Sequence, residues 1–191
     1  EEFLAWKQTN VWPQRQKGYS MVEVRLTTGD MVPAQMRPLA SILRRYAGGK
    51  LRTMVHQNFL IRWVRNQDLP SLYEELQKIK MVKPDAQTLY DVTACPGTDT
   101  CRLGISSSMG LARVIEQRLY QEDGKIRGVA RDLRIKISGC PNSCGQHHIA
   151  NLGFYGGAIP VDGHTLPAFQ LMLGGNFGRD MELARPIGQV P

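Results

Sequence analysis

The chain has 191 residues, 42% of them hydrophobic, which is enough to bury a core without cross-links and sets aside the small disulfide-stapled scaffold. No run of about twenty apolar residues and no hydrophobic leader segment occurs, so the expectation is a soluble, cytoplasmic protein with no membrane partner. Its 24 Lys and Arg against 17 Asp and Glu give a net charge of +7, yet no basic patch is interleaved with aromatic residues, and no nucleic-acid partner is expected.

The charge is uneven: residues 1–80 carry 13 Lys and Arg against 7 Asp and Glu, and residues 81–191 carry 11 against 10. The first segment reads βαββα. Val22, Val24 and Leu26 alternate with Glu23, Arg25 and Thr27, the pattern of a strand with one buried face. Thr28-Gly29-Asp30 is a turn signal before Pro33, which suits the first turn of a helix. Met36, Leu39, Ala40, Leu43 and Tyr46 recur at helical spacing, and Gly48-Gly49 stops that helix. Leu51 to Val55 and Phe59 to Val64 read as strands, and Pro70 opens a helix with Leu72, Leu76 and Ile79 on one stripe. The polar link Lys83-Pro84-Asp85-Ala86-Gln87 divides the chain into segments 1–82 and 83–191.

In the second segment Ile105, Met109, Ala112, Ile115 and Leu119 predict a helix that starts at or just after Cys101 and ends at Glu122-Asp123-Gly124. Leu133, Ile135 and Ile137 alternate with Arg134, Lys136 and Ser138, a half-buried strand delivering Gly139 and Cys140 to its own end. Ile149 to Tyr155 and Ala168 to Leu173 read as strands separated by a glycine-rich loop, and residues 174–191 carry too much Gly and Pro for an assignment. Interleaved strands and helices make the class α+β, with mixed α/β character.

All four cysteines fall in two pairs, Cys95 with Cys101 and Cys140 with Cys144, each set beside Pro and Gly. Four thiolates on backbone turns suit one metal centre. Structural zinc prefers two to four intervening residues, and the five between Cys95 and Cys101 count mildly against it. An iron–sulfur cluster takes four thiolates at varied spacing in an amide-rich pocket. Spacing alone leaves cluster, zinc and redox thiols open. Pro96 and Pro141 fix φ and remove a donor after their cysteines, while Gly97, Gly139 and Gly145 permit close backbone approach.

The flanking words Thr93-Ala94-Cys95-Pro96-Gly97-Thr98-Asp99-Thr100-Cys101-Arg102-Leu103-Gly104 and Ile137-Ser138-Gly139-Cys140-Pro141-Asn142-Ser143-Cys144-Gly145 closely resemble the sirohaem and [4Fe–4S] motif of nitrite and sulfite reductases. The 38 residues between Cys101 and Cys140 are similar to that family's spacing. Upstream, Thr9-Asn10-Val11 and the stretch from Val22 to Tyr73 resemble its ferredoxin-like half-domain. The resemblance implies an N-terminal arm and ferredoxin-like half-domain over 1–82, then a sirohaem/[4Fe–4S] domain over 83–191. It implies Cys95, Cys101, Cys140 and Cys144 as cluster ligands, with Cys144 also bridging to the sirohaem iron. Arg102, Asn142, Gln57 and Asn58 become cofactor contacts, Arg102 because it follows a ligand directly.

The implied activity is six-electron reduction of nitrite to ammonia or sulfite to sulfide, with electrons from a ferredoxin or a flavoprotein. In that family the enzyme is a pseudo-twofold repeat. No internal repeat occurs here, so the chain resembles the cysteine-bearing copy, with a missing N-terminal repeat as its partner. The start at Glu1-Glu2-Phe3 and the stop at Val190-Pro191 both read as cuts in a longer protein. Most basic residues that bind the substrate anion belong to the other repeat, and no catalytic residue is assigned. The alternative is a non-catalytic module, stabilised by zinc or a cluster, with a structural or electron-relay role.

Several polar residues have plainer readings. Arg102, Arg134 and Lys136 suit a solvated face. Adjacent helical histidines point about 100° apart, so His147 and His148 read as one packed and one exposed rather than as a shared ligand pair. Ser106-Ser107-Ser108 reads as first-turn helix polarity. The excess charge of residues 1–80 suits an acidic ferredoxin or balances the missing repeat, with Arg37, Arg44 and Arg45 as the face concerned.

Overall fold

A computed structural model describes residues 1–177 and 181–191, and divides the chain into two compact units, Glu1–Gln87 and Thr88–Pro191. The first contains α1 (Glu2–Asn10), β1 (Val11–Pro13), β2 (Tyr19–Val24), α2 (Pro33–Tyr46), β3 (Arg52–Thr53), β4 (Phe59–Arg65) and α3 (Leu69–Lys78). The strands form an antiparallel sheet in the order β1-β2-β4-β3, with Val22 opposite Ile61 and Arg52 opposite Leu60. Val22, Val24, Ile61 and Val64 meet Leu39, Leu43, Leu72 and Leu76 in one core.

Pro33 stands at the start of α2, and positive φ at Gly48 and Gly49 ends it, with the Gly49 N–H donating to the Leu43 carbonyl at 2.9 Å. The buried stripe is Leu39, Ile42 and Leu43; Met36 is exposed. The strand expected over Leu51–Val55 shortens to Arg52–Thr53, and Val55 is exposed. Helix α1 was not foreseen. It buries only Trp6, Thr9 and Asn10, so it carries no apolar period to read. Trp6 packs 5.1 Å from the Tyr73 ring, and Asn10 Nδ2 donates to the carbonyls of Glu23 and Lys83 at 3.0 Å each.

The second unit contains β5 (Thr93–Ala94), α4 (Ser108–Gln121), α5 (Asp123–Ala130), β6 (Ile135–Ser138), β7 (Leu152–Val161), β8 (His164–Leu173) and β9 (Arg185–Val190). Its sheet runs β5-β6-β7-β8-β9, parallel through β7 and antiparallel beyond. Helix α4 starts at Ser108, later than its apolar period implies, because residues 101–107 form a loop in which the Ile105 and Ser106 N–H groups both donate to the Gly139 carbonyl. Glu122-Asp123-Gly124 does not end the helical segment. Asp123 opens α5, where its carboxylate accepts the Tyr90 hydroxyl and Arg127 Nε.

The supposed glycine-rich loop is a hairpin of two ten-residue strands turning at Asp162 and Gly163, both at positive φ. Gly156 and Gly157 lie inside β7. The unassigned tail supplies β9 on the sheet edge; residues 178–180 lie outside the described residues. Strand β6 is buried on both faces, Lys136 and Ser138 included, contrary to the half-buried reading. Among the described residues no helix is long and apolar enough to cross a membrane.

Candidate metal centre

Parallel pairing sets Thr93 opposite Lys136 and Ala94 opposite Ile137. Cys95 directly follows β5 and Cys140 follows β6 by two residues, so both leave the carboxyl ends of adjacent parallel strands, where open α/β sheets place ligands. The Cys95 N–H continues the ladder to the Ile137 carbonyl at 3.0 Å. Cys95 and Cys140 are buried, Cys101 and Cys144 are exposed, and all four thiols are free. Each pair therefore offers one inner and one outer sulfur.

Glycine makes this packing possible. A Cβ on Gly139 would lie 2.6 Å from the Gly97 Cα, one on Gly104 2.7 Å from the Gly97 carbonyl carbon, and one on Gly156 2.2 Å from the Gly139 oxygen. A Cβ on Gly145 would lie 2.0 Å from the Ile137 oxygen. The two cysteine loops thus meet backbone to backbone, and the Gly139 N–H donates to Cys95 Sγ at 3.1 Å. Ser108 Oγ donates to the Cys95 carbonyl at 2.7 Å and stands 3.5 Å from its sulfur. A sulfur that accepts backbone N–H bonds is set up to carry negative charge.

Cys144 sits on a turn pinned from both sides. Ser143 and Gln146 both have positive φ, and Ser143 Oγ pairs with His148 Nδ1 at 2.9 Å. Ser138 Oγ accepts the Gly145 N–H at 3.0 Å and pairs with His147 Nδ1 at 2.9 Å. Lys136 Nζ donates to Gln146 Oε1 at 3.1 Å. This explains the buried second face of β6: the loop after Cys140 folds back over Lys136 and Ser138. Burial lowers the Lys136 ammonium to about 8, with Asp91 opposing the shift and Arg134 adding to it.

The histidines lie on a short 3-10 turn, not an α-helix, and their rings stack at 4.1 Å. His147 is buried and His148 half-buried. Burial, then His148, pulls the His147 imidazole down to about 4, and its Nε2 has no hydrogen-bond partner among the described residues. Ser106 is no helix first-turn residue: its hydroxyl donates to the Ala168 carbonyl at 2.7 Å.

Of the other residues singled out in the sequence, Arg102 and Asn142 are exposed, Arg102 next to Cys101 and Asn142 midway between Cys140 and Cys144. Gln57 and Asn58 belong to the first unit. Asn58 is buried there, its Oδ1 accepting the Leu26 N–H at 2.9 Å and its Nδ2 donating to Glu23 Oε1 at 2.8 Å. Its amide holds the β2–β4 sheet. Lys136, Ser138, Gln146 and His147 were missed as a set. The signal lies in the alternation of β6, whose polar side reads from sequence as a solvated face.

Two family descriptions match. Residues 12–79 fit the nitrite/sulfite reductase ferredoxin-like half domain, and residues 85–190 fit the nitrite and sulphite reductase 4Fe-4S domain. The chain belongs to the nitrite and sulfite reductase family. Among its relatives, the chloroplastic ferredoxin–nitrite reductase of Zea mays is 33% identical over 91% of this chain and 30% of its own length. The assimilatory-type sulfite reductase of Nitratidesulfovibrio vulgaris is 25% identical over 86% of this chain and 69% of its own length. The NirA protein of Mycobacterium tuberculosis shares the fold with a TM-score of 0.82, at 24% identity over 94% of this chain and 34% of that one. The chain spans about a third of the length of the nitrite reductases it matches.

The site fits the group that this family's domain is named for. Its glycine-lined loops bring a backbone N–H to the Cys95 sulfur, the kind of donor that an iron–sulfur cluster's thiolates need.

Proposed function

We propose that Cys95, Cys101, Cys140 and Cys144 hold a [4Fe–4S] cluster, and that the chain is the cluster-bearing part of a sirohaem-dependent nitrite or sulfite reductase. One observation carries this reading: two cysteine loops leave adjacent parallel strand ends, pack glycine on glycine, and donate the Gly139 N–H to Cys95 Sγ. The domain division, 1–82 and 83–191, and the sirohaem contacts are part of the same proposal. When bound, the cluster and sirohaem supply the electron relay and the site of the six-electron reduction of nitrite or sulfite.

The residues of the chain have separable tasks. Cys95 and Cys140 supply the shielded sulfurs, and Cys101 and Cys144 supply those on the open side, where Cys144 would be shared with the sirohaem iron. Arg102 is exposed beside Cys101 and offers a guanidinium to a carboxylate of sirohaem. Asn142 offers an amide on the Cys140–Cys144 turn. Gln57, half-buried at positive φ, and Asn58 are the polar contacts offered by the first unit. The partners are the remaining repeat of the polypeptide and an acidic electron donor of the ferredoxin type, named in several relatives; a flavoprotein is the other candidate.

The test is an anaerobic absorption spectrum of the chain before and after dithionite, with iron and acid-labile sulfide assayed together. About four irons and four sulfides per chain, with broad absorption that bleaches on reduction, are expected. Stoichiometric zinc without sulfide would defeat the cluster reading and favour the structural module. A second form of the proposal, in which one repeat holds both cofactors unaided, is favoured by the sulfite reductase of which this chain spans 69%. Sharp Soret-like and red bands from this chain alone would support that form.

A further inference from the structure

Strand β6 sends Ile135 and Ile137 into the hydrophobic core. Its other face places Lys136, 1% exposed, and Ser138 beneath the residues that follow Cys144. Gln146 Oε1, the acceptor of Lys136 Nζ, carries no charge, so that bond does not by itself account for a buried ammonium. Holding an amide oxygen needs only a neutral donor, and a buried cation is stable only with negative charge nearby. Asp91, buried on the stretch leading to β5, favours the ammonium, whereas Arg134 opposes it.

We propose that Lys136 is the fixed counter-charge of the cysteine centre, holding the loop after Cys144 through Gln146 and stabilising added negative charge above it. The inference rests on the cluster reading. A four-thiolate cluster is anionic and gains one further negative charge when it accepts one electron, so a fixed cation behind its loop favours the reduced state. The charge is buried, which sets it apart from Arg102, exposed on the other pair. Lys136 Nζ bonds to the loop through Gln146 and not to a thiolate among the described residues, so it is a positioning and electrostatic residue.

The test loads the full chain with iron and sulfide anaerobically and follows the cluster by electron paramagnetic resonance through a dithionite titration. Lys136→Met keeps the stem and removes the charge, and Lys136→Gln keeps an N–H donor toward Gln146. Both are expected to shift the midpoint potential to more negative values. Lys136→Arg keeps the charge and is expected to keep the potential near that of the unaltered chain. Equal potentials in all four proteins, each with a normal cluster signal, overturn the inference and leave the cluster reading standing. A shift in Lys136→Arg as large as in Lys136→Met also overturns it, because the packing and not the charge would then be responsible. Failure of the unaltered chain to form any cluster overturns both. Should Lys136→Met not fold, the contrast between Lys136→Gln and Lys136→Arg decides the same question.

Discussion

Gly145 shows how little room single residues leave at the centre. A methyl group there would stand 2.0 Å from the Ile137 carbonyl oxygen, and neither strand β6 nor the Ser138 bond to the Gly145 N–H can yield without moving Cys144. Gly145→Ala is expected to cost about 3 kcal/mol, the upper end for an overpacked site, read as a lowered urea midpoint. Gly157→Ala is the control: nothing lies within 4 Å of its Cβ position, and the change should be near neutral. His147 makes a pH prediction. Its imidazole titrates near 4 in the folded chain against 6.5 when exposed, so the unfolded chain binds the extra proton between those values. Stability therefore falls as pH drops from 6.5 toward 4, by on the order of 3 kcal/mol in full. His147→Phe, which fills the stack against Tyr155, should flatten that dependence in unfolding curves taken across the window.

At the scale of elements, α1 depends on one side chain. Trp6 is its only buried apolar residue and lies against Phe3 and Tyr73, so Trp6→Ala is expected to cost about 3–5 kcal/mol and to release the helix. Loss of helical ellipticity together with a lowered unfolding midpoint would show it; an unchanged midpoint would mean that α1 contributes little. The same feature made α1 unreadable, because a single anchor has no period. Helices α2, α3 and α4 could be read because each repeats an apolar stripe, although Met36 is exposed on α2 and Ile105 lies in the loop before α4. Local pattern failed where a partner distant in sequence decides. Gly156 suggests a loop until the Gly139 oxygen, 2.2 Å from where its Cβ would be, requires glycine inside a strand. The alternation in β6 was correct, but polarity marked the side covered by the returning cysteine loop and not a side open to water. The cysteine pairs themselves were legible because their chemistry is written in a few adjacent residues, whereas the buried Lys136–Gln146 contact joins two strand and loop positions that no window links by periodicity.

Across the whole molecule, charge is partitioned as unevenly as chemistry. Residues 1–80 carry the basic excess, while the cysteines all lie in the second unit. Within the first unit Arg45 is paired with Glu75, and Arg37 and Arg44 are exposed on the same helix. An exposed ion pair adds little to stability, so the free arginines matter chiefly for their field. If that field steers an acidic donor protein, reversing it should act on the encounter and not on the centre. Arg37→Glu with Arg44→Glu is expected to slow association with such a donor by on the order of tenfold at low salt, with the difference shrinking as salt screens the charges. Stopped-flow association rates across an ionic-strength series measure this directly. A rate that falls equally at every salt concentration would implicate shape at α2. A rate that does not change would assign the basic excess to the rest of the polypeptide, since an unsteered donor is indifferent to the sign of two exposed charges.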